Sequence, residues 1–338
     1  MNQSVVKKSP SLKLWELTCK KSIPTNSAAT RIKQIVGCLM VFAGAVCFYL
    51  SSGAVRWSKQ HVSISPAFFV FARFFIGFAI VSLSLFVRQH PISPQKYSLL
   101  IGRALANTAA VYCFYTAVSV TSLAQANILN MTYPVFVALF AWITLKKQRD
   151  PFMTLVLLVA FGGIFLVLAR GPLVIGRSHL WGLTSGVCGA VAILILNASR
   201  QWHDTETILF YLFGIGTVLI YFLFPRTIYW PSGREAYYLI MCSSLSIAGQ
   251  YCMTYGHRYV TAVEGSIVAS TRILIAAFLG PVIAADPPLT LRGWIGAGLI
   301  FAANMVLALR KTKNNHRKTI RRNNESYQTS DIRRSSHN

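Results

Sequence analysis

The stretch YCFYTAVSVTSLAQANILNMT, residues 112–132, lies without gaps on YCMTYGHRYVTAVEGSIVAST, residues 251–271, at an offset of 139. Tyr112-Cys113 falls on Tyr251-Cys252, Ile128 on Ile267 and Thr132 on Thr271, while Ala126 meets Gly265 and Asn127 meets Ser266. Two further matches stand in the same order. LVLAR ending at Arg170 answers VLALR ending at Arg310, and Gly44-Ala-Val…Trp57 answers Gly189-Ala-Val…Trp202. Apolar segments resemble one another by composition, so each identity is weak alone; their collinear order makes the chain a duplication.

What is duplicated is a set of apolar runs. The chain of 338 residues is 54% hydrophobic and 12% charged, outside the usual range of soluble domains. Runs of about 20 residues, the length a helix needs to cross the hydrocarbon, fall near 34–55, 66–87, 98–119, 123–145, 152–169, 180–198, 206–224, 236–256, 261–284 and 291–309. The expected fold is an all-α membrane protein with about ten transmembrane helices. Residues 34–170 form one five-helix repeat and 180–309 the other, flanked by basic tails at 1–33 and 310–338. Five is odd, so the second repeat enters the membrane upside down and the repeats are inverted. The expected cavity lies between them, bounded by spans three and four of one repeat and eight and nine of the other.

Net charge is +24, but 16 of the 33 basic residues sit in the two tails. Tails with seven and nine basic residues place both termini in the cytoplasm, beside anionic lipid. The loops between them carry eight basic residues on one side and seven on the other, as expected if repeats of opposite topology were fused. Arg103 and Arg200 are counted among these loop residues. No zinc-finger, RNP or helix-turn-helix pattern accompanies the charge, so nucleic acid is not the partner. Neither HExxH, GxSxG nor a carboxylate pair occurs, none of the nine acids lies mid-span, and the seven cysteines are scattered without a CxxC pair. The reading is therefore not an enzyme, with no cofactor and no metal. Gly182-x3-Gly186 and Gly162-Gly163 read as close helix contacts within one chain.

Pro66-x6-Arg73-Phe-Phe-x-Gly77 in span two, then Tyr115-x-Ala117 leading through Ala124 and Ala126 to Pro134, and the same hairpin again from Tyr255 through Gly265, resemble the EamA-type members of the drug/metabolite transporter superfamily. The resemblance runs from about Gln34 to Arg310. Members usually carry an acid after span four; this chain has Lys146-Lys147 there, and Asp286 at the corresponding end of span nine. The resemblance implies a secondary transporter working by alternating access on a small-molecule solute. The Arg-Phe-Phe of span two and the arginine of span nine are further similar to the S-adenosylmethionine carriers of obligate intracellular bacteria. That likeness implies a bacterial inner-membrane protein taking up S-adenosylmethionine in exchange for S-adenosylhomocysteine, a zwitterionic, nucleoside-like solute. An exporter of amino acids or other small metabolites, and a non-transporting scaffold, are the alternatives.

Arg272 stands about ten residues into span nine, where a charge costs roughly 2.5 to 3.5 kcal/mol on insertion scales. It either grips a solute carboxylate with its planar fork or anchors free backbone carbonyls. Arg73, near the outer end of span two, reads as a structural or gating residue able to snorkel to the interface. Glu264, eight residues before Arg272 and about 12 Å along the helix, meets a solute cation or marks the helix end. Asn127, Asn130 and Pro134 share one face of span four, where the amides bind solute or hold span nine and the proline is structural. Tyr112, Tyr115, Tyr251 and Tyr255 are duplicated aromatics suited to stack a base, surround a cation or pack helices.

Overall fold

The computed structural model describes residues 28–89, 92–144, 151–170, 174–175, 177–260, 262–284 and 288–307. Residues 1–27 and 308–338, with Lys146-Lys147 and Asp286, lie outside the described residues, while residues 28–33 of the first basic tail open α1. Helices cover nearly all of it: α1 Ala28–Ser58, α2 Pro66–Arg88, α3 Tyr97–Val120, α4 Leu123–Asn130, α5 Tyr133–Thr144, α6 Pro151–Leu168, α7 Arg177–Ser199, α8 Thr205–Leu223, α9 Gly233–Tyr259, α10 Ala262–Ala284 and α11 Leu291–Leu307. A two-residue antiparallel bridge, Ala169–Arg170 with Val174–Ile175, joins the halves between α6 and α7.

The helix starts follow from local chemistry. Ser65 accepts the Phe68 N–H at 3.2 Å just before Pro66, whose missing N–H costs nothing in a first turn. Ser122 accepts the Gln125 N–H at 3.2 Å and opens α4 two residues after α3 ends, which makes the hairpin tight. Asp204 accepts the Thr207 N–H at 3.3 Å at the start of α8.

Span four is one apolar stretch, Leu123–Phe140, but two helices. Pro134 has no N–H to give back along the chain, and the Val135 and Phe136 amides both turn to the Thr132 carbonyl, at 2.9 and 3.2 Å. The Met131 carbonyl at this break accepts the Asn304 side-chain amide of α11 at 3.1 Å. A freed carbonyl in a membrane span needs such a partner.

Packing is reciprocal between the halves. Helix α1 packs on α9 and α10, and its counterpart α7 packs on α3 and on α4 with α5; α2 packs on α9 and its counterpart α8 on α3; α2 meets α8, and α4 meets α10. Exchanging the halves maps each of these contacts onto another of them or onto itself. One seam shows the chemistry: a Cβ on Gly77 would stand 2.7 Å from the Phe213 ring, and a Cβ on Gly216 would stand 3.0 Å from the Phe74 ring. Phe74 and Gly77 fall on Phe213 and Gly216 at the offset of 139. Gly182 and Gly186 similarly let α7 close on Leu129 and Thr132, a contact within the chain.

Polarity is inverted relative to a soluble protein. Ile32, Leu39, Phe86, Phe222, Val282 and Leu291 are exposed, whereas Arg73, Arg103, Asn127, Gln250 and Arg272 are buried. Five stretches, including that of α4 with α5, are long and apolar enough to cross a membrane by length and composition alone. Helices α3 and α9 are as long but more polar, and their Asn107, Tyr115, Ser243, Ser246, Gln250 and Thr254 are all buried. These two helices face inward with their polar stripes.

Candidate solute-binding cavity

A cavity of about 140 Å3, partly open to solvent, lies between the halves. Helix α3 gives it a stripe at helical spacing, Arg103, Asn107, Ala110, Val111, Phe114 and Tyr115. Helix α9 gives Gln250, Met253, Thr254 and His257, and Ser51, Arg73, Asn130, Tyr133 and Arg272 complete the polar lining.

The offset seen in the sequence reappears as geometry. Positions 111, 114, 115, 130 and 133 line the cavity, and so do 250, 253, 254, 269 and 272, each 139 residues later. Phe48 and Ser51 likewise answer Ile193 and Leu196, in the register of Gly44 with Gly189. The cavity is built from equivalent positions of two copies whose side chains have diverged.

Three arginines reach it, each about 95% removed from solvent: Arg73 and Arg103 are 4% exposed and Arg272 is 5% exposed. Arg272 donates from Nε to Asn127 Oδ1 at 2.7 Å. Asn127, fully buried, is fixed in turn by donating from Nδ2 to the Leu123 carbonyl at 2.8 Å and to Ser52 Oγ at 3.2 Å. This leaves Arg272 Nη2 without a partner, with the guanidinium 4.9 Å from the Phe114 ring centre. Arg73 makes two long contacts, to Tyr115 Oη and Gln250 Oε1, both 3.4 Å, and its Nε is unpartnered. Tyr115 Oη is held by Ser246 at 2.8 Å and Ser51 at 3.1 Å. Arg103 Nε and Asn107 Nδ2, one turn apart on α3, are buried and unpartnered as well.

No aspartate or glutamate lines the cavity among the described residues. Unpaired buried charge costs several kcal/mol per ion, and the unmet groups here are donors. A solute rich in acceptor oxygens supplies what they lack, and a planar guanidinium suits a carboxylate or phosphate fork.

The residues singled out in the sequence separate in space. Arg272, Asn130, Tyr115 and Arg73 line the cavity, Arg73 facing inward and not snorkelling outward; Asn127 stands behind Arg272. Arg272 holds a side-chain amide and not a backbone carbonyl. Asn130 donates to Ser185 Oγ at 2.9 Å. Pro134 marks the break in span four. The other tyrosines are elsewhere: Tyr112 stacks on Phe224 at 4.9 Å, and Tyr251 stacks on Tyr255, whose Oη donates to Glu206 Oε1 at 2.8 Å. Helix-face geometry explains this, because Tyr112, Tyr251 and Tyr255 each follow a lining residue, Val111, Gln250 and Thr254, by one position, which turns them about 100° around the helix and off the cavity stripe. The Glu264 side chain lies outside the described residues.

Arg103 is a cavity-lining residue that sequence reading missed. Counted as a loop cation, it is the seventh residue of α3 and buried. The signal was its spacing: Arg103, Asn107 and Val111 recur every four residues on one face of a span. Gln250 and Thr254 carry the same signal on α9. Arg200, also counted as a loop cation, donates to the Thr254 and His257 carbonyls at the end of α9, at 2.9 and 3.3 Å.

A family model for EamA-like transporters matches the chain twice, over residues 35–169 and 176–309. The chain belongs to the EamA-like transporter family. It is an integral, multi-pass membrane protein of transporter type built from two copies of the family unit. It is 27% identical over 249 residues to the pseudopaline exporter CntI of Pseudomonas aeruginosa, covering 72% of this chain and 84% of that one. Solute carrier family 35 member G1 of Homo sapiens is 26% identical over 234 residues, 64% of this chain and 63% of that protein. An uncharacterized transporter of Archaeoglobus fulgidus is 27% identical over 260 residues, 75% and 91% of the two chains. A solved crystal structure matches with a TM-score of 0.55 at 17% identity, over 82% of this chain and 98% of that one, a likeness of fold.

Proposed function

We propose that this protein carries a small organic anion across a membrane by alternating access, exchanging one anion for another. The observation that carries the reading is the set of three buried guanidiniums, each with an unpartnered N–H, around a cavity without a carboxylate among the described residues. Arg272, presented by Asn127, grips an anionic group of the solute; Arg73, Tyr115 and Asn130 complete that end. Inverted halves with both tails in the cytoplasm fit the reciprocal packing, since rocking one half on the other would open the cavity to either side. Exchange follows from charge. An empty occluded cavity would desolvate three cations without a counter-ion, so the unloaded carrier reorients slowly while the loaded one brings a counter-ion with it.

S-adenosylmethionine, entering in exchange for S-adenosylhomocysteine through a bacterial inner membrane, is the narrower solute that the sequence resemblance implies. Arg272 suits its carboxylate and Phe114 its adenine, but its ammonium and sulfonium meet no carboxylate among the described lining residues, so simple anions rank ahead of it. Export, the direction named for the Pseudomonas relative, is compatible with the same cavity.

The test is exchange in proteoliposomes loaded with unlabelled and bathed in labelled solutes: dicarboxylates, amino acids, nucleosides and S-adenosylmethionine. Counterflow of anions that disappears in Arg272→Ala and is insensitive to an imposed pH gradient is expected. Transport of neutral or cationic solutes unaffected by Arg272→Ala overturns the anion reading, and failure of every solute favours a scaffold.

A further inference from the structure

The cavity's unmet donors fall in two groups. At one end, Arg272 Nη2 and Arg73 Nε stand around Phe48, whose ring centre is 6.0 and 5.3 Å from the two guanidinium carbons. At the other, Arg103 Nε and Asn107 Nδ2 share a face of α3. Arg103 is eleven residues before Phe114, the ring beneath Arg272, and twelve before Tyr115, which touches Arg73. The same lining carries the apolar Ala110, Val111 and Ile193.

We infer that the solute carries two acidic groups, one held by Arg272 with Arg73 and the other by Arg103 with Asn107. The inference rests on the anion-carrier reading and deepens it. A single carboxylate satisfies one group of donors and leaves the other buried and unmet, which carries the full desolvation penalty of those groups. A second acid supplies those acceptors and gives Arg103 a counter-ion. The arginines act as separate anchors: removing Arg103 strips the far anchor while Arg272 and Arg73 still hold a monoanion.

Counterflow in proteoliposomes is measured for labelled succinate, adipate and suberate against their half-amides, which keep length and shape but lose one charge. The wild-type protein is expected to favour one diacid over its half-amide by roughly tenfold or more. Arg103→Gln should reduce that ratio to near one while half-amide exchange persists, and Arg103→Lys should restore part of it. Half-amide exchange also reports that the variants fold and insert. Equal use of diacid and half-amide by the wild type overturns the inference and leaves the anion reading standing, as does loss of both solutes in Arg103→Lys. Exchange of neither by the wild type, with counterflow of a cationic or neutral solute intact, overturns both.

Discussion

The two copies of the repeat agree where they hold the protein together and differ where they face the cavity. At the seam, Phe74 and Gly77 interlock with Phe213 and Gly216, residue for equivalent residue, and the helices there start on equivalent caps, Ser65 and Asp204. Inside the cavity each arginine belongs to one copy alone. At the offset of 139, Arg73 faces Leu212, Arg103 faces Cys242, and Arg272 faces Tyr133. A two-fold scaffold needs self-complementary packing, so both copies keep the same shapes. A solute without two-fold symmetry needs different groups on its two sides, and a cation repeated at each equivalent site would add repulsion without a partner. Divergence within a constant register marks what binds.

The largest effect is expected from removing a group that only one copy carries. Arg272→Ala should cut anion exchange by roughly tenfold to a hundredfold, the loss of a charged hydrogen bond worth about 1.5 to 3 kcal/mol, with Arg272→Lys intermediate because the fork is gone but the charge remains. Initial rates of counterflow check this, and wild-type rates in Arg272→Ala would place binding elsewhere. Next comes the residue that presents it. Asn127→Ala leaves Arg272 Nε unmet and unanchored, so the half-saturating solute concentration should rise several-fold while protein yield and melting temperature change less; Asn127→Asp should weaken anion exchange further by neutralising the guanidinium.

Substitutions at the shared seam should behave as a matched pair. Gly77→Ala and Gly216→Ala each push a methyl into a phenylalanine ring and should destabilise by about 1 to 3 kcal/mol, read as a lower melting temperature in detergent. A large cost at one and none at the other would break the equivalence of the halves. The smallest effects belong to the caps, where Ser65→Ala and Asp204→Ala should each cost about 0.5 to 2 kcal/mol by the same measurement.

The apolar runs were legible as membrane helices because hydrocarbon leaves a chain little choice but to satisfy its backbone internally. Pro134 and the inward face of span four were legible as well, but the break at Met131–Thr132 was not, since it depends on Asn304 arriving from α11 to take a carbonyl. The tyrosines show the same boundary. Their duplication in the sequence is plain, yet only Tyr115 among the four reaches the cavity, because the others each stand one residue, about 100°, past a lining position.

Composition and period by themselves determined that this chain crosses a membrane many times and is two copies of one unit, because lipid solvation acts on every residue and duplication leaves a register in the letters. The tertiary structure alone decided that Arg73, Arg103 and Arg272, distant in sequence and on three different helices, face one space without a carboxylate among the described residues lining it. That convergence depends on how helices from the two halves pack, which residue spacing within any single span does not encode.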